Sequence, residues 1–137
     1  MSLKDVLSTL LILALILASL NIQLLLSIPL RTDIPLAVVS SWSMEPTLHI
    51  ADIIVVYGGS NEYAIGDVIV YTKYGRKLIV HRVVEIEGPK GPFITKGDAN
   101  IAHDIPPVKL SQVKGKVVLV VPYLGVFKLM VEGLLGR

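Results

Sequence analysis

Two serines one residue apart, three histidines and two aspartates in a Gly/Asn loop are the residues of this 137-residue chain that could do chemistry. The serines lie in Ser41-Trp42-Ser43-Met44-Glu45-Pro46-Thr47. In an extended chain alternate residues point the same way, so both hydroxyls would share one side. Pro46 ends any helix across the segment and favours a fixed turn. The arrangement suits a nucleophilic serine held open to a substrate at the end of a strand. A polar turn joining two strands is the competing reading of such a Ser/Pro cluster.

A serine hydroxyl attacks only when a neighbouring base takes its proton. His81 lies in Leu78-Ile79-Val80-His81-Arg82-Val83-Val84, where every neighbour but Arg82 is apolar. A histidine in such a strand is fixed in direction and partly desolvated, which suits a general base. A core histidine bonded to backbone would look the same. His49 follows the serines too closely to fold back easily, and His103 sits in a polar loop. Asp98 and Asp104 share the stretch Thr95-Lys96-Gly97-Asp98-Ala99-Asn100-Ile101-Ala102-His103-Asp104. Either carboxylate could accept the second imidazole N–H, fixing the tautomer of the base and stabilising its charged form. Their spacing does not match a calcium-binding EF-hand loop, and a solvated turn is the ordinary role of each alone.

These residues need elements to position them. From Val6 to Leu30 there is no charged side chain. As one helix the run would be about 37 Å long, enough to cross a hydrocarbon core of about 30 Å with tilt. It is longer than the apolar region of a cleaved signal peptide, and Ala18-Ser19-Leu20 is a poor cleavage site. The expectation is a tail over 1–5, a retained transmembrane anchor over 6–28 and a β-rich domain over 29–137. Ile28-Pro29 and Ile34-Pro35 should end the helix. Apolar, β-branched runs punctuated by glycine and proline predict strands over 36–40, 51–57, 67–73, 77–86, 93–96 and 116–121, the third and fourth forming a hairpin. The fold class is therefore mainly β, an antiparallel sheet on a single-helix tether. In the segment 123–137, Leu124, Phe127, Val131 and Leu134 could share a helical face, although Gly125, Gly133 and Gly136 weaken it. It would either pack on the sheet or lie amphipathically on a membrane surface.

Composition narrows the function. Mean hydropathy is +0.68, with the excess concentrated in the N-terminal run. Net charge is +2 and the basic residues are scattered, which argues against nucleic acid. There is no cysteine, hence no disulfide, thiol nucleophile or thiolate metal site. Lys4 and Arg31 flank the apolar run, so charge does not set its orientation.

Read together, the blocks resemble type I signal peptidases of the archaeal and endoplasmic-reticulum branch. Residues 41–47 resemble that family's nucleophile box. Ile65-Gly66-Asp67-Val68-Ile69-Val70-Tyr71 resembles its Gly-Asp strand box, and Val80-His81-Arg82-Val83 the box that carries histidine in this branch and lysine in the bacterial one. Lys96-Gly97-Asp98 through Asp104 resembles its Gly-Asp-Asn box with a later aspartate. The resemblance covers essentially the whole chain. Trp42 stands where glycine is common and Ala99 where asparagine is common.

The resemblance implies Ser43 as nucleophile, His81 as general base, Asp104 as its carboxylate partner and Asp98 as a second aspartate holding the site together. It makes Ser41 an oxyanion donor beside the Ser43 amide, with Trp42 and Met44 at substrate-binding positions. Trp42 could line a pocket or rest at the lipid interface. Pro46, Gly66, Asp67, Arg82 and Gly97 are structural positions of the motifs. The implied reaction is acyl transfer at the end of a preprotein's signal sequence, without metal or organic cofactor. The implied partners are signal peptides, the lipid bilayer and the protein-translocation channel, with the β-domain on the outer face of the cell membrane. Two rivals remain: a Ser–Lys peptidase using Lys77 or Lys73, and a non-catalytic membrane-tethered β-module. An oligonucleotide-binding barrel is disfavoured by few aromatics and no basic groove.

Overall fold

The computed structural model describes residues 2–135. Met1, Gly136 and Arg137, at the outer ends of the expected tail and C-terminal segment, lie outside the described residues. So do the side chains of Leu20, Phe127 and Lys128. Helices α1 (Leu3–Leu20) and α2 (Ile22–Leu30) lead into strands β1 (Leu36–Val38), β2 (Ile53–Tyr57), β3 (Val68–Lys73), β4 (Lys77–Ile86) and β5 (Phe93–Lys96). A 3-10 turn (Leu110–Gln112), β6 (Val113–Val121) and helix α3 (Val126–Leu134) follow.

The N-terminal run differs from the single helix expected over 6–28. Among the described residues no single helix is long and apolar enough to cross a membrane; α1 and α2 are apolar enough only as a pair, bent by 49°. The break falls at Asn21, whose side-chain amide donates to the Leu17 carbonyl at 2.7 Å. A short polar side chain that takes a backbone acceptor in this way competes with the helix ladder. Pro29 was expected to end the helix but lies inside α2, one residue before its end. Gln23, one of the few polar residues in the run, ties α2 to the sheet. Its amide donates to the Leu36 carbonyl at 3.1 Å and accepts from the Leu36 N–H at 3.4 Å.

The six strands form one antiparallel sheet in the order β1-β2-β6-β3-β4-β5. Period-two burial shows in β2, where Ile54 and Val56 are buried and their neighbours partly exposed. The β3–β4 hairpin closes on the Lys73–Lys77 pair, and Tyr74 and Gly75 at its tip both take positive φ. β3 buries both of its faces. Val70 joins a cluster with Val39, Met44, Leu48, Ile54 and Val56. Ile69 and Tyr71 join Val83, Phe93 and Val108 in the other. Burial on both faces explains why the strand reads as a continuous apolar run.

α3 begins where the Gly125 N–H donates to the Ala51 carbonyl at 2.8 Å, and a side chain at 125 would collide with Val38. Of its described apolar side chains, Val126, Met130, Val131 and Leu134 are exposed and Leu129 is partly buried.

Candidate active site

Beyond β1 the chain stays extended, with Val39 exchanging 2.9 Å backbone hydrogen bonds with Asp52 and Ala51. It then turns through residues 41–48. Met44 and Leu48 plug this loop into the core, and the Leu48 N–H closes a helical turn on the Met44 carbonyl at 3.0 Å. The Glu45–Pro46 peptide is cis. Met44 therefore corrects the sequence reading that grouped it with substrate-binding positions. Its side chain is fully buried and has no surface to offer a substrate; its burial fastens the loop, a contribution of about 1.5–3 kcal/mol.

With the loop fastened, Ser43 faces β4. Its Oγ lies 3.1 Å from His81 Nε2, and His81 Nδ1 lies 2.5 Å from Asp104 Oδ2. His81 is 6% exposed, so the imidazole is held by strand and core. With Nδ1 protonated and donating to Asp104, Nε2 is the free acceptor for the serine proton. Ser41 Oγ stands 3.1 Å from Ser43 Oγ, placing a second hydroxyl beside that of Ser43.

Asp104 Oδ2 also accepts from Thr95 Oγ1 at 2.7 Å and Tyr71 Oη at 3.0 Å. Burial pushes the Asp104 carboxyl up. The hydrogen bonds from His81, Thr95 and Tyr71 and the His81 charge outweigh it and hold the group below its ordinary value. Tyr71, buried between Asp104 and Thr95, is pushed well above the usual phenol range, chiefly by desolvation. It stays a neutral donor.

The second aspartate does something else. Asp98 Oδ1 accepts from Arg82 Nε at 2.8 Å, and its Oδ2 accepts from Arg82 Nη2 at 2.6 Å and Thr47 Oγ1 at 2.5 Å. Arg82 Nη1 donates to the Gly66 carbonyl at 2.8 Å. Asp98 thus joins the 41–48 loop, β4 and the Gly66 turn, and among the described residues none of its hydrogen bonds reaches Ser43 or His81. Its contacts are those of a clamp between these elements. The Arg82 hydrogen bonds hold the Asp98 carboxyl below its ordinary value.

Gly97 lets the two loops meet. The Ala99 N–H donates to the Ser43 carbonyl at 3.0 Å, and a Cβ at 97 would strike that carbonyl and the Asn100 side chain. Gly66 takes φ 99°. Asp67 accepts from the Ala64 N–H at 3.0 Å and pairs with Lys116 at 3.3 Å, so it braces the turn. Trp42 is 68% exposed, facing outward beside Ser43.

A cleft of about 420 Å³ opens beside this group. It is lined by 37–41 and Ser43 on one side and 77–81 on the other, with Ile54 and Val70 at its floor. Lys77 lines the cleft, whereas Lys73 is its partner across the hairpin, near the Tyr74 ring. Neither lysine has a hydrogen bond to Ser43 among the described residues. His49 pairs with Glu45 and Asp52 rather than with Ser43.

Sequence reasoning missed Thr47, Tyr71 and Thr95. The latter two could be found from register. Ile69 is the partner of His81, and Tyr71 lies two residues on; Thr95 is the partner of Val83, two residues beyond His81. Period two puts both on the His81 face.

No family model matches the chain. It is 32% identical over 119 residues to the signal peptidase complex catalytic subunit SEC11 of Pyricularia oryzae, covering 78% of this chain and 69% of that protein. The SEC11 subunit of Leptosphaeria maculans is 36% identical over 112 residues, covering 73% of this chain and 65% of that protein. That of Sclerotinia sclerotiorum is 32% identical with the same coverage. The chain therefore spans about two thirds of the length of these relatives. On this similarity, over a stretch that carries the Ser43–His81–Asp104 group, the chain belongs to the family of signal peptidase complex catalytic subunits.

Proposed function

We propose that this chain is a membrane-bound serine endopeptidase that removes signal peptides from secreted preproteins. Ser43 is the nucleophile, His81 the general base and Asp104 the carboxylate that orients it. The observation that carries this is the continuous hydrogen-bonded line from Ser43 Oγ through both nitrogens of His81 to Asp104. Ser43 attacks the scissile carbonyl as Nε2 takes its proton; His81 then hands that proton to the leaving amine. Water, activated by the same imidazole, hydrolyses the acyl-enzyme. Ser41 Oγ supports the oxyanion with the Ser43 N–H, a contribution of about 3–4 kcal/mol for such a donor.

The substrate binds as an added strand. β1 is the edge of the sheet, and β5 pairs with β4 only over 82–86, so backbone groups on both walls of the cleft are open to an extended peptide. The apolar helices α1 and α2 hold the enzyme in the membrane that also holds its substrate, which raises their effective concentration. The exposed apolar side chains of α3 rest on the lipid surface, and the β-domain faces the extracytoplasmic side, within reach of the translocation channel.

Lys77, which lines the cleft, supports a second reading with lysine as base. Preprotein cleavage by the membrane-embedded chain separates the readings. Ser43→Ala is expected to lose about 10⁶-fold in kcat, His81→Ala a comparable amount, and Lys77→Ala little. Full activity in His81→Ala, with loss in Lys77→Ala, would move the base to lysine. Full cleavage in Ser43→Ala would remove Ser43 as the nucleophile, and no cleavage by the wild-type chain would leave a non-catalytic β-module.

A further inference from the structure

We propose that Tyr71 and Thr95 are positioning residues of the hydrolytic reaction, acting through Asp104. The inference rests on the Ser43–His81–Asp104 reading. Asp104 lies in a loop, between the exposed Ile101 and Ile105, and a loop of that kind does not by itself fix a carboxylate. The rigidity comes from two strands. Tyr71 on β3 and Thr95 on β5 are 1% and 0% exposed, and their hydroxyls converge on Asp104 Oδ2, the same oxygen that meets His81 Nδ1. The two hydroxyl oxygens stand 3.2 Å apart, and the Asp104 N–H donates to the Thr95 carbonyl at 2.8 Å.

Core packing does not ask for these hydroxyls. Phenylalanine and valine would fill the same space, and a buried hydroxyl costs free energy unless it is paired. Both are paired to the carboxylate that faces the base. Three donors on one oxygen fix the plane of the carboxylate, and through it the imidazole, so that Nε2 points at Ser43. Two neutral donors also keep Asp104 ionised, so that it accepts the Nδ1 hydrogen bond without taking the proton.

Three variants of the full chain, assayed for kcat and KM on a preprotein and for thermal midpoint, test this. Thr95→Val keeps the shape and loses the hydroxyl; Thr95→Ser loses a methyl and keeps it. Thr95→Val is expected to lower kcat on the order of 10-fold with KM unchanged, while Thr95→Ser restores most of the turnover despite the lower midpoint that a lost core methyl brings. Tyr71→Phe should resemble Thr95→Val. A purely structural role predicts the opposite order, with turnover following the midpoint and Thr95→Ser the poorer enzyme. That order overturns the inference, as does wild-type kcat in both Thr95→Val and Tyr71→Phe. Asp104→Asn in the same assay separates the two levels: undiminished turnover there sinks the triad reading itself, whereas its loss beside unaffected Thr95 and Tyr71 variants sinks only the positioning role.

Discussion

Replacing Asp98 by asparagine exchanges one carboxylate oxygen of the clamp for an NH2 group and leaves its shape intact. If the amide oxygen keeps the Arg82 Nε bond, the new NH2 replaces the oxygen that Arg82 Nη2 and Thr47 address at 2.6 and 2.5 Å. Thr47 can rotate and accept instead; Arg82 Nη2 cannot, and meets a second donor. One charge-assisted bond is lost, worth about 2 kcal/mol. The Arg82 side chain is 30% exposed, so screening puts the expected loss at about 1–2 kcal/mol. For a domain of roughly 100 residues that lowers the thermal midpoint by about 5–15 °C. The pH dependence has a defined sign. The folded pKa of Asp98 is depressed, so its stabilisation is present above the ordinary value of 3.8 and is lost as pH falls through the lower folded value. The midpoint gap between wild type and Asp98→Asn should be full at pH 7 and narrow below pH 3.8. Thermal unfolding followed by far-UV circular dichroism at several pH values measures it. An Asp98→Asn protein with the wild-type midpoint at pH 7, or a gap that survives acid unchanged, would refute the clamp.

Gly97→Ala drives a Cβ against the Ser43 carbonyl and is expected to lower kcat about 10²-fold through displacement of the nucleophile; unchanged cleavage kinetics would show that the two loops yield. Met44→Ala empties part of the core under the same loop and should cost about 2–5 kcal/mol in denaturant unfolding. A loss below 1 kcal/mol would mean that the loop is held elsewhere.

Most strand positions were legible because local chemistry and burial agree there. The hairpin over 73–77 and the five-residue β2 follow from β-branched runs with turn residues between them. The α1–α2 break was not legible, since hydropathy sees Asn21 as one polar residue in an apolar run while its side chain competes for a helix carbonyl. Met44 misled for a related reason: it stands beside Ser43 in the motif, but a turn sends adjacent side chains in opposite directions. The division of labour between Asp98 and Asp104 was out of reach, because it depends on which carboxylate β5 and its following loop bring to His81 and which to Arg82. Tyr71 and Thr95 were one step away, needing only hairpin register and period two.

The strand order has a consequence for biosynthesis. Ser43 travels with β1 and β2; His81, Asp98 and Asp104 travel with β3, β4 and β5. Among the described residues the two groups of strands are joined in the sheet only through β6, which lies between β2 and β3 and is the last of the six to leave the ribosome. Every side chain of the proposed chemistry has been made by residue 104, yet the seam that brings nucleophile and base together begins at Val113. A chain that stops short of β6 carries all the reactive groups but lacks the strand that joins the Ser43 half of the sheet to the His81 half, so the proposed hydrolytic competence waits for β6.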